Sequence, residues 1–314
     1  MLSLIIPVKN GAEFIGDTLA ELGAVTADFE VIVVDDGSTD GTRATVTGCA
    51  DRDPRIRLTS NPGTGKVQAL NHGFNLCRGD IVKCIDADDV LVRGYLDTMS
   101  ALRMHDAECH DMQLTDAVLV PFGRYAVNPR MLEGDRRTVM EQLVALPRCT
   151  WTVGRGLAER IFPMPIDLPF EDVWFALVIK RFAAVIHHRP GVWYLYRQHG
   201  DQTFGGILNH SRDKVSFRAK RMLRLITVLQ AESARLEPAE ISLDVEFRSQ
   251  RCYWTLLAQD SVSTWSILSS RLPLPALAKL LLFRRMPWMI PSILRVKYTL
   301  DGLRLGMLGQ KAAA

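Results

Sequence analysis

The chain of 314 residues has no C-x-x-C pair among its six cysteines, no run of 18 or more uncharged apolar residues, and almost no excess of charge. Thiols scattered as Cys49, Cys77, Cys84, Cys109, Cys149 and Cys252 build neither a zinc cluster nor a disulfide framework, and read as reduced core residues. The missing apolar run excludes a spanning helix of ordinary length. A balance of 38 basic against 35 acidic residues leaves a net charge of +3, too little to favour nucleic acid as a partner. The opening Met1-Leu2-Ser3-Leu4-Ile5-Ile6-Pro7 lacks a basic leader, and Lys9-Asn10-Gly11 follow at once, so it reads as a strand rather than a signal peptide. A cytoplasmic location is the resulting expectation.

What is present is an ordinary globular composition, 47% apolar and 23% charged, with length enough for a sizeable core. The first hundred residues alternate short β-branched runs with longer amphipathic stretches, as strand-helix units on a mostly parallel sheet do. Strands are predicted near Ser3 to Val8, Glu30 to Asp35, Ile56 to Thr59 and Ile81 to Ile85, and helices near Ala12 to Leu22 and Lys66 to Cys77. Lys83 is anomalous inside the last of these strands. Further strands are predicted at Asp116 to Phe122 and Val192 to Tyr196, with a helix from Val173 to Phe182. Long helical patterns dominate from Lys214 to Leu236 and Leu243 to Leu257, so the expected division is an α/β domain over 1–205 and a helical extension over 206–314.

Open α/β sheets bind ligands beyond the carboxyl ends of their strands, and here three strands end in Asn10, Asp35-Asp36 and Asp86-Ala87-Asp88-Asp89. Crowded carboxylates are costly without a cation, and hard oxygen ligands suit Mg2+ or Mn2+; a helix cap is the competing reading of the same triplet. Asp36 follows a buried strand directly, and its carboxylate suits a nucleobase N–H. Ser38 and Asp40 read as helix caps. Lys66, behind the glycine-rich Pro62-Gly63-Thr64-Gly65, reads either as a reach toward phosphates or as a solvated lysine; the P-loop spacing is absent.

Ile5-Ile6-Pro7-Val8-Lys9-Asn10, Val33-Val34-Asp35-Asp36-Gly37-Ser38-Thr39-Asp40 and Asp86-Ala87-Asp88-Asp89 together resemble family-2 glycosyltransferases of the GT-A fold. The resemblance implies an α/β fold with a mostly parallel sheet flanked by helices. It implies an inverting, metal-dependent enzyme in which Pro7, Val8 and Asp36 line the nucleoside pocket, Asn10, Asp86 and Ala87 lie at the donor, and Asp88 holds Mn2+ or Mg2+ against the diphosphate. Phe170-Glu171-Asp172-Val173-Trp174 looks like the family's acceptor-site motif, which makes Asp172 the general base and Glu171 an orienting partner. Tyr194 to His199 resembles a basic segment near the diphosphate, which nominates Arg197 for the donor phosphates and His199 for the metal, against a plain surface pair. Lys9 stands where many members carry an aromatic residue.

Between Asp260 and Asp301 no acidic residue occurs, while Arg271, Lys279, Arg284, Arg285, Arg295 and Lys297 lie among Leu, Phe, Met and Trp288. An anionic membrane surface, a homodimer interface and a helical subdomain packing on the sheet each account for this stretch. The function expected is non-processive transfer from a nucleotide-diphosphate sugar, a UDP-sugar, to a glycan or lipid-linked acceptor in surface polysaccharide synthesis, peripheral to the inner face of the cell membrane. The alternatives are a nucleotide-sugar-binding protein without turnover and a sugar-phosphate nucleotidyltransferase, whose glycine-rich basic N-terminal loop is missing.

Overall fold

The computed structural model describes residues 1–23, 25, 27–97, 102–128, 132–133, 139–140, 143, 145–199, 212–236, 243–259 and 262–285. The chain forms two compact units, one of Met1–Arg136, Val144–Ile166 and Glu171–Gln198, the other of Arg137–Leu143, Asp167–Phe170 and His199–Ala314. The boundary expected near residue 206 lies outside the described residues.

In the first unit β1 (Leu2–Val8) and β2 (Phe29–Asp35) are buried at every position, as continuous β-branched runs in an interior parallel sheet must be. Their register runs from Leu2 opposite Phe29 to Val8 opposite Asp35, so both strands end together. β3 (Ile56–Ser60) and β4 (Ile81–Cys84) flank them in parallel, giving the order β3-β2-β1-β4. Alternate residues of β1 and β2 (Leu4, Ile6, Val31, Val33) pack with Ile15 and Leu19 of α1 (Ile15–Gly23) and Val46 of α2 (Thr42–Ala50). Burying each such side chain contributes about 1.5–3 kcal/mol. The opposite face carries α3 (Lys66–Leu76), where Gly73 lets the helix close on the sheet; a Cβ there would lie 2.4 Å from Ile5 Cγ2 and 3.2 Å from Val34 Cγ2.

Beyond β4 the sheet is mixed rather than mostly parallel. Its order continues through β8 (Trp151–Gly154), β6 (Ala107–Thr115), β9 (Ile186–Arg197) and β5 (Val90–Leu91), with β7 (Pro121–Tyr125) also on β6. β8 runs antiparallel to both β4 and β6, and β9 runs parallel to β6. The strand expected at Asp116 to Phe122 is instead mostly the turn of the β6-β7 hairpin. Asp116 Oδ1 accepts the amides of Val118 and Val120, Leu119 takes a positive φ of 66°, and Val118 stands 77% exposed. The apolar run there caps a turn and buries little.

The first unit also holds α4 (Gly94–Asp97), α5 (Arg155–Ile161) and α6 (Glu171–Phe182). The second unit is helical among its described residues: α7 (Arg212–Ala231), α8 (Ser233–Leu236), α9 (Asp244–Ala258), α10 (Thr264–Leu268) and α11 (Leu274–Arg285). Ala219, Tyr253, Leu257, Ile267, Leu272 and Leu280 form its buried cluster. No described helix is long and apolar enough to cross a membrane. The part of the basic stretch with Trp288, Arg295 and Lys297 lies outside the described residues.

Candidate active site

The aligned ends of β1 and β2 bring their loops together. Asn10, in the left-handed region at φ 52°, donates its amide to Ser38 Oγ at 2.9 Å, and its Oδ1 accepts the Thr39 amide at 2.8 Å. Asp40 Oδ2 accepts the Ala12 amide at 3.1 Å. Ser38 therefore ties two loops together rather than capping α2, whose first flank is Gly41 with no side-chain cap; Asp40 does both, since Oδ1 also accepts the Thr42 amide. Pro7 and Val8 are buried beneath this rim, and Val8 Cγ2 would meet a Cβ on Gly11 at 2.8 Å, with Ala87 Cβ 3.9 Å away. Asp36 leaves β2 at the same edge. Its carboxylate accepts Asn61 Nδ2 at 2.6 Å and the Gly65 amide at 2.8 Å, with the Lys9 ammonium 3.9 Å away.

β4 delivers Asp86 to this edge, and a residue passed over in the sequence meets it. Arg148, 2% exposed on a 3-10 turn (Arg148–Thr150), pairs its guanidinium with Asp86 and lies 3.5 Å from Glu171 Oε1. Its backbone amide donates to Asp172 Oδ1 at 2.7 Å. Lys66, at the start of α3, stands 2.8 Å from Asp86 Oδ1 and 3.2 Å from Glu171 Oε1. One arginine and one lysine thus gather carboxylates from a strand end and from the first turn of α6. Lys66 thus pairs with both acids while its side chain stays 46% exposed.

The charges respond accordingly. Burial opposes ionisation of Asp86, but Arg148 and Lys66 outweigh it and hold the carboxyl well below its usual range. Glu171 is lowered by the same two cations against its burial. Asp172 goes the other way: burial first, then the Glu171 charge, push it up to about 6, with the Arg148 amide partly offsetting them. Neighbouring carboxyls with opposed shifts mark a division into a fixed anion and a group poised to exchange protons.

Asp88 is half-buried beside these groups, and Asp89 is fully buried. Asp89 Oδ1 accepts the Arg197 amide at 2.8 Å, while its Oδ2 is buried with no hydrogen-bond partner. Burial, then Asp88 and Asp86, push the Asp89 carboxyl well up. Crowded oxygens with one buried atom unsatisfied fit a hard divalent cation. Asp86, Asp89 and Cys149 offer ligand atoms within 4.8 Å of one another, but burial holds the Cys149 thiol protonated, and a thiol is a poor donor for such an ion. The oxygens of the Asp86 to Asp89 turn are the fitting set.

One expected residue is engaged elsewhere. The Arg197 guanidinium is buried against Asp17 Oδ2 at 3.1 Å, the Ala117 carbonyl at 2.9 Å and the Phe14 ring at 4.5 Å, so it braces α1 and the β6-β7 turn rather than facing Lys66 and Arg148. His199 is half-buried and falls in the second unit.

Residues 3–108 match the family model for glycosyl transferase family 2. An uncharacterised glycosyltransferase of Nostoc sp. is 35% identical over 91 residues, 28% of this chain and 28% of that protein. An undecaprenyl-phosphate 4-deoxy-4-formamido-L-arabinose transferase of Pseudomonas fluorescens is 33% identical over 93 residues, 28% of this chain and 27% of that protein. The chain therefore matches under a third of either relative. Among solved structures, S. aureus TarS residues 1–349 with UDP-GlcNAc superposes with a TM-score of 0.57 at 18% identity, covering 89% of this chain and 79% of that one. A mannosyltransferase of Pyrobaculum calidifontis with GDP-Man and Mn2+ gives 0.54 at 20% identity, covering 96% and 86%. At these identities the likeness establishes the fold, an α/β GT-A architecture.

Proposed function

From the match of residues 3–108 to the family model for glycosyl transferase family 2, we propose that the chain transfers a sugar, with inversion, from a nucleotide-diphosphate donor to a hydroxyl of a glycan or lipid-linked acceptor. The observation that carries the reading is the gathering of Asp86, Glu171 and Asp172 on Arg148, because it joins donor-side and acceptor-side carboxylates in one place.

Asp172 is the general base. Ionised near neutral pH and aimed by the Arg148 amide, it takes the acceptor hydroxyl proton as that oxygen bonds to the anomeric carbon. The bond from that carbon to the diphosphate oxygen breaks on the opposite face, and the diphosphate leaves with its electron pair. Glu171 stays anionic and orients the acceptor. Asp36 accepts a base-edge N–H beside Pro7 and Val8, Asn10 and Ala87 border the donor, and Lys66 turns from Asp86 toward the leaving phosphates. Asp88, supported by Asp86, would hold Mn2+ or Mg2+, which would supply positive charge against the diphosphate. UDP is the donor nucleotide we favour, with a role in surface polysaccharide assembly; the Pseudomonas fluorescens relative, named for transfer involving undecaprenyl phosphate, supports a lipid-linked acceptor.

We also propose contact of the second unit with an anionic membrane surface. Trp265 and Leu274 are 77% and 81% exposed, beside exposed Arg271, Lys279 and Arg285 and no acid from α10 through α11.

Thermal stabilisation by nucleotide-sugars, with and without Mn2+, tests the central reading, since a ligand of the folded state raises its melting temperature. A UDP-sugar is expected to raise it more with Mn2+, and Asp88→Ala to remove the Mn2+ increment. The absence of a shift with any nucleotide diphosphate would sink the assignment.

A further inference from the structure

Lys83 is the one charged residue of β4, 1% exposed, three residues before Asp86. Its ammonium meets three acceptors. Nζ donates to the Cys149 carbonyl at 2.6 Å, to His110 Nε2 at 2.8 Å and to the Trp151 carbonyl at 3.4 Å. His110, itself fully buried, donates from Nδ1 to the Asp111 carbonyl at 3.0 Å, which fixes the tautomer that leaves Nε2 free to accept. The rings of Tyr95 and Tyr194 lie 5.2 and 5.8 Å from Nζ, within cation–π range. The Tyr194 hydroxyl in turn accepts the Asp86 amide at 3.1 Å.

An ammonium with three donors and three acceptors is satisfied, yet its burial remains costly. Burial pushes Lys83 down to about 7 and His110 well below its ordinary value. An aliphatic residue would continue the Ile81-Val82 pattern of β4 without that cost, so stability alone does not favour lysine here. What the lysine does that an aliphatic chain cannot is grip carbonyls. Those it grips belong to Cys149 and Trp151, immediately after Arg148.

Resting on the glycosyl-transfer reading above, we propose that Lys83 is a positioning residue: it clamps the turn of residues 148–151 from the interior, so that Arg148 keeps Asp172 aimed and Asp86 and Glu171 paired. The route is short. Lys83 holds the Cys149 carbonyl, the preceding residue's amide holds Asp172, and that same residue's guanidinium holds Asp86. Facing Asp172 are the charges of Glu171, Arg148 and Lys66 and the phenols of Tyr125 and Tyr196.

The test uses Lys83→Met, which keeps the length of the side chain and removes its donors, and Lys83→Gln, which keeps one donor group. Lys83→Met is expected to fold, to bind the nucleotide-sugar within threefold of the parent, and to lose at least tenfold in kcat, with Lys83→Gln recovering part of the loss. The acidic limb of its kcat profile should move to higher pH, because the Arg148 amide no longer favours the Asp172 carboxylate. A carboxyl carbon NMR titration of Asp172 reads the same displacement without any turnover. If the parent chain transfers no sugar, the glycosyl-transfer reading fails, and the NMR titration alone judges Lys83. A folded Lys83→Met variant with unchanged kcat or an unchanged Asp172 titration overturns the proposal, and so does failure of both variants to fold, which would make Lys83 a folding residue.

Discussion

Replacing Asp172 by Asn should remove activity and add stability at the same time. A positioned general base contributes about 10²–10⁴-fold in rate, or about 3–5 kcal/mol of barrier, so kcat should fall by that factor while donor affinity holds. The stability effect follows from the same carboxyl. Its folded value of about 6 exceeds the ordinary 3.8, so between those values the folded state binds more protons than the unfolded one, and stability falls as pH rises through that window. Two units correspond to about 3 kcal/mol at most, and because Asp172 is only partly buried, solvent screening leaves about 1–2 kcal/mol. Asn retains an oxygen for the Arg148 amide and never ionises. Asp172→Asn is therefore expected to melt about 2–6 °C higher than the parent at pH 7.5, the difference vanishing below about pH 4. Calorimetry across pH, with kcat at saturating acceptor, checks both halves. An Asn variant as active as the parent, or one less stable at pH 7.5, would refute the reasoning.

Arg148→Met leaves Asp86 and Glu171 short of their buried cation and should cost about 3 kcal/mol at neutral pH, the loss persisting to about pH 4 and shrinking only below it, where the two depressed carboxyls of the parent begin to protonate; denaturant melts above and below that pH check it. Gly73→Ala forces a methyl against Ile5 and Val34 beneath α3 and should cost about 1–3 kcal/mol without altering donor specificity, as read by melting temperature and relative kcat/KM. Trp265→Ser with Leu274→Ser should weaken flotation with anionic vesicles while leaving soluble-acceptor kcat unchanged; a parent chain that does not float with such vesicles removes the membrane proposal.

The first four strands were legible because each is buried and β-branched, and an interior parallel strand hides nothing from a hydropathy reading. Asp36 and Asp86 were legible for the same reason, since each directly follows such a run. β6 was not. It carries Glu108, His110 and Asp111 as buried residues, and only partners from elsewhere make that tolerable: Arg189 on Glu108, with Arg124 and His188 on Asp111. A single sequence gives no sign of such pairings, so the strand looked polar. Arg148 was missed because it sits in three residues of 3-10 helix within a stretch lacking any period. The signal available was Lys83, whose oddity marked the place where the interior required a cation, though not what the cation held. Arg197 misled for the opposite reason: its neighbourhood in the sequence pointed to phosphate, while its side chain was long enough to reach Asp17.

The stitching of Asn10 to Ser38 and Thr39 has a kinetic consequence. Two loops joined by side chain and backbone restrain one another, so under the proposed donor binding an arriving nucleoside would meet a rim with less left to order. Little conformational entropy is then lost on docking, and association should proceed near the rate set by diffusion and charge steering. Competing donors would consequently be told apart by how long each stays.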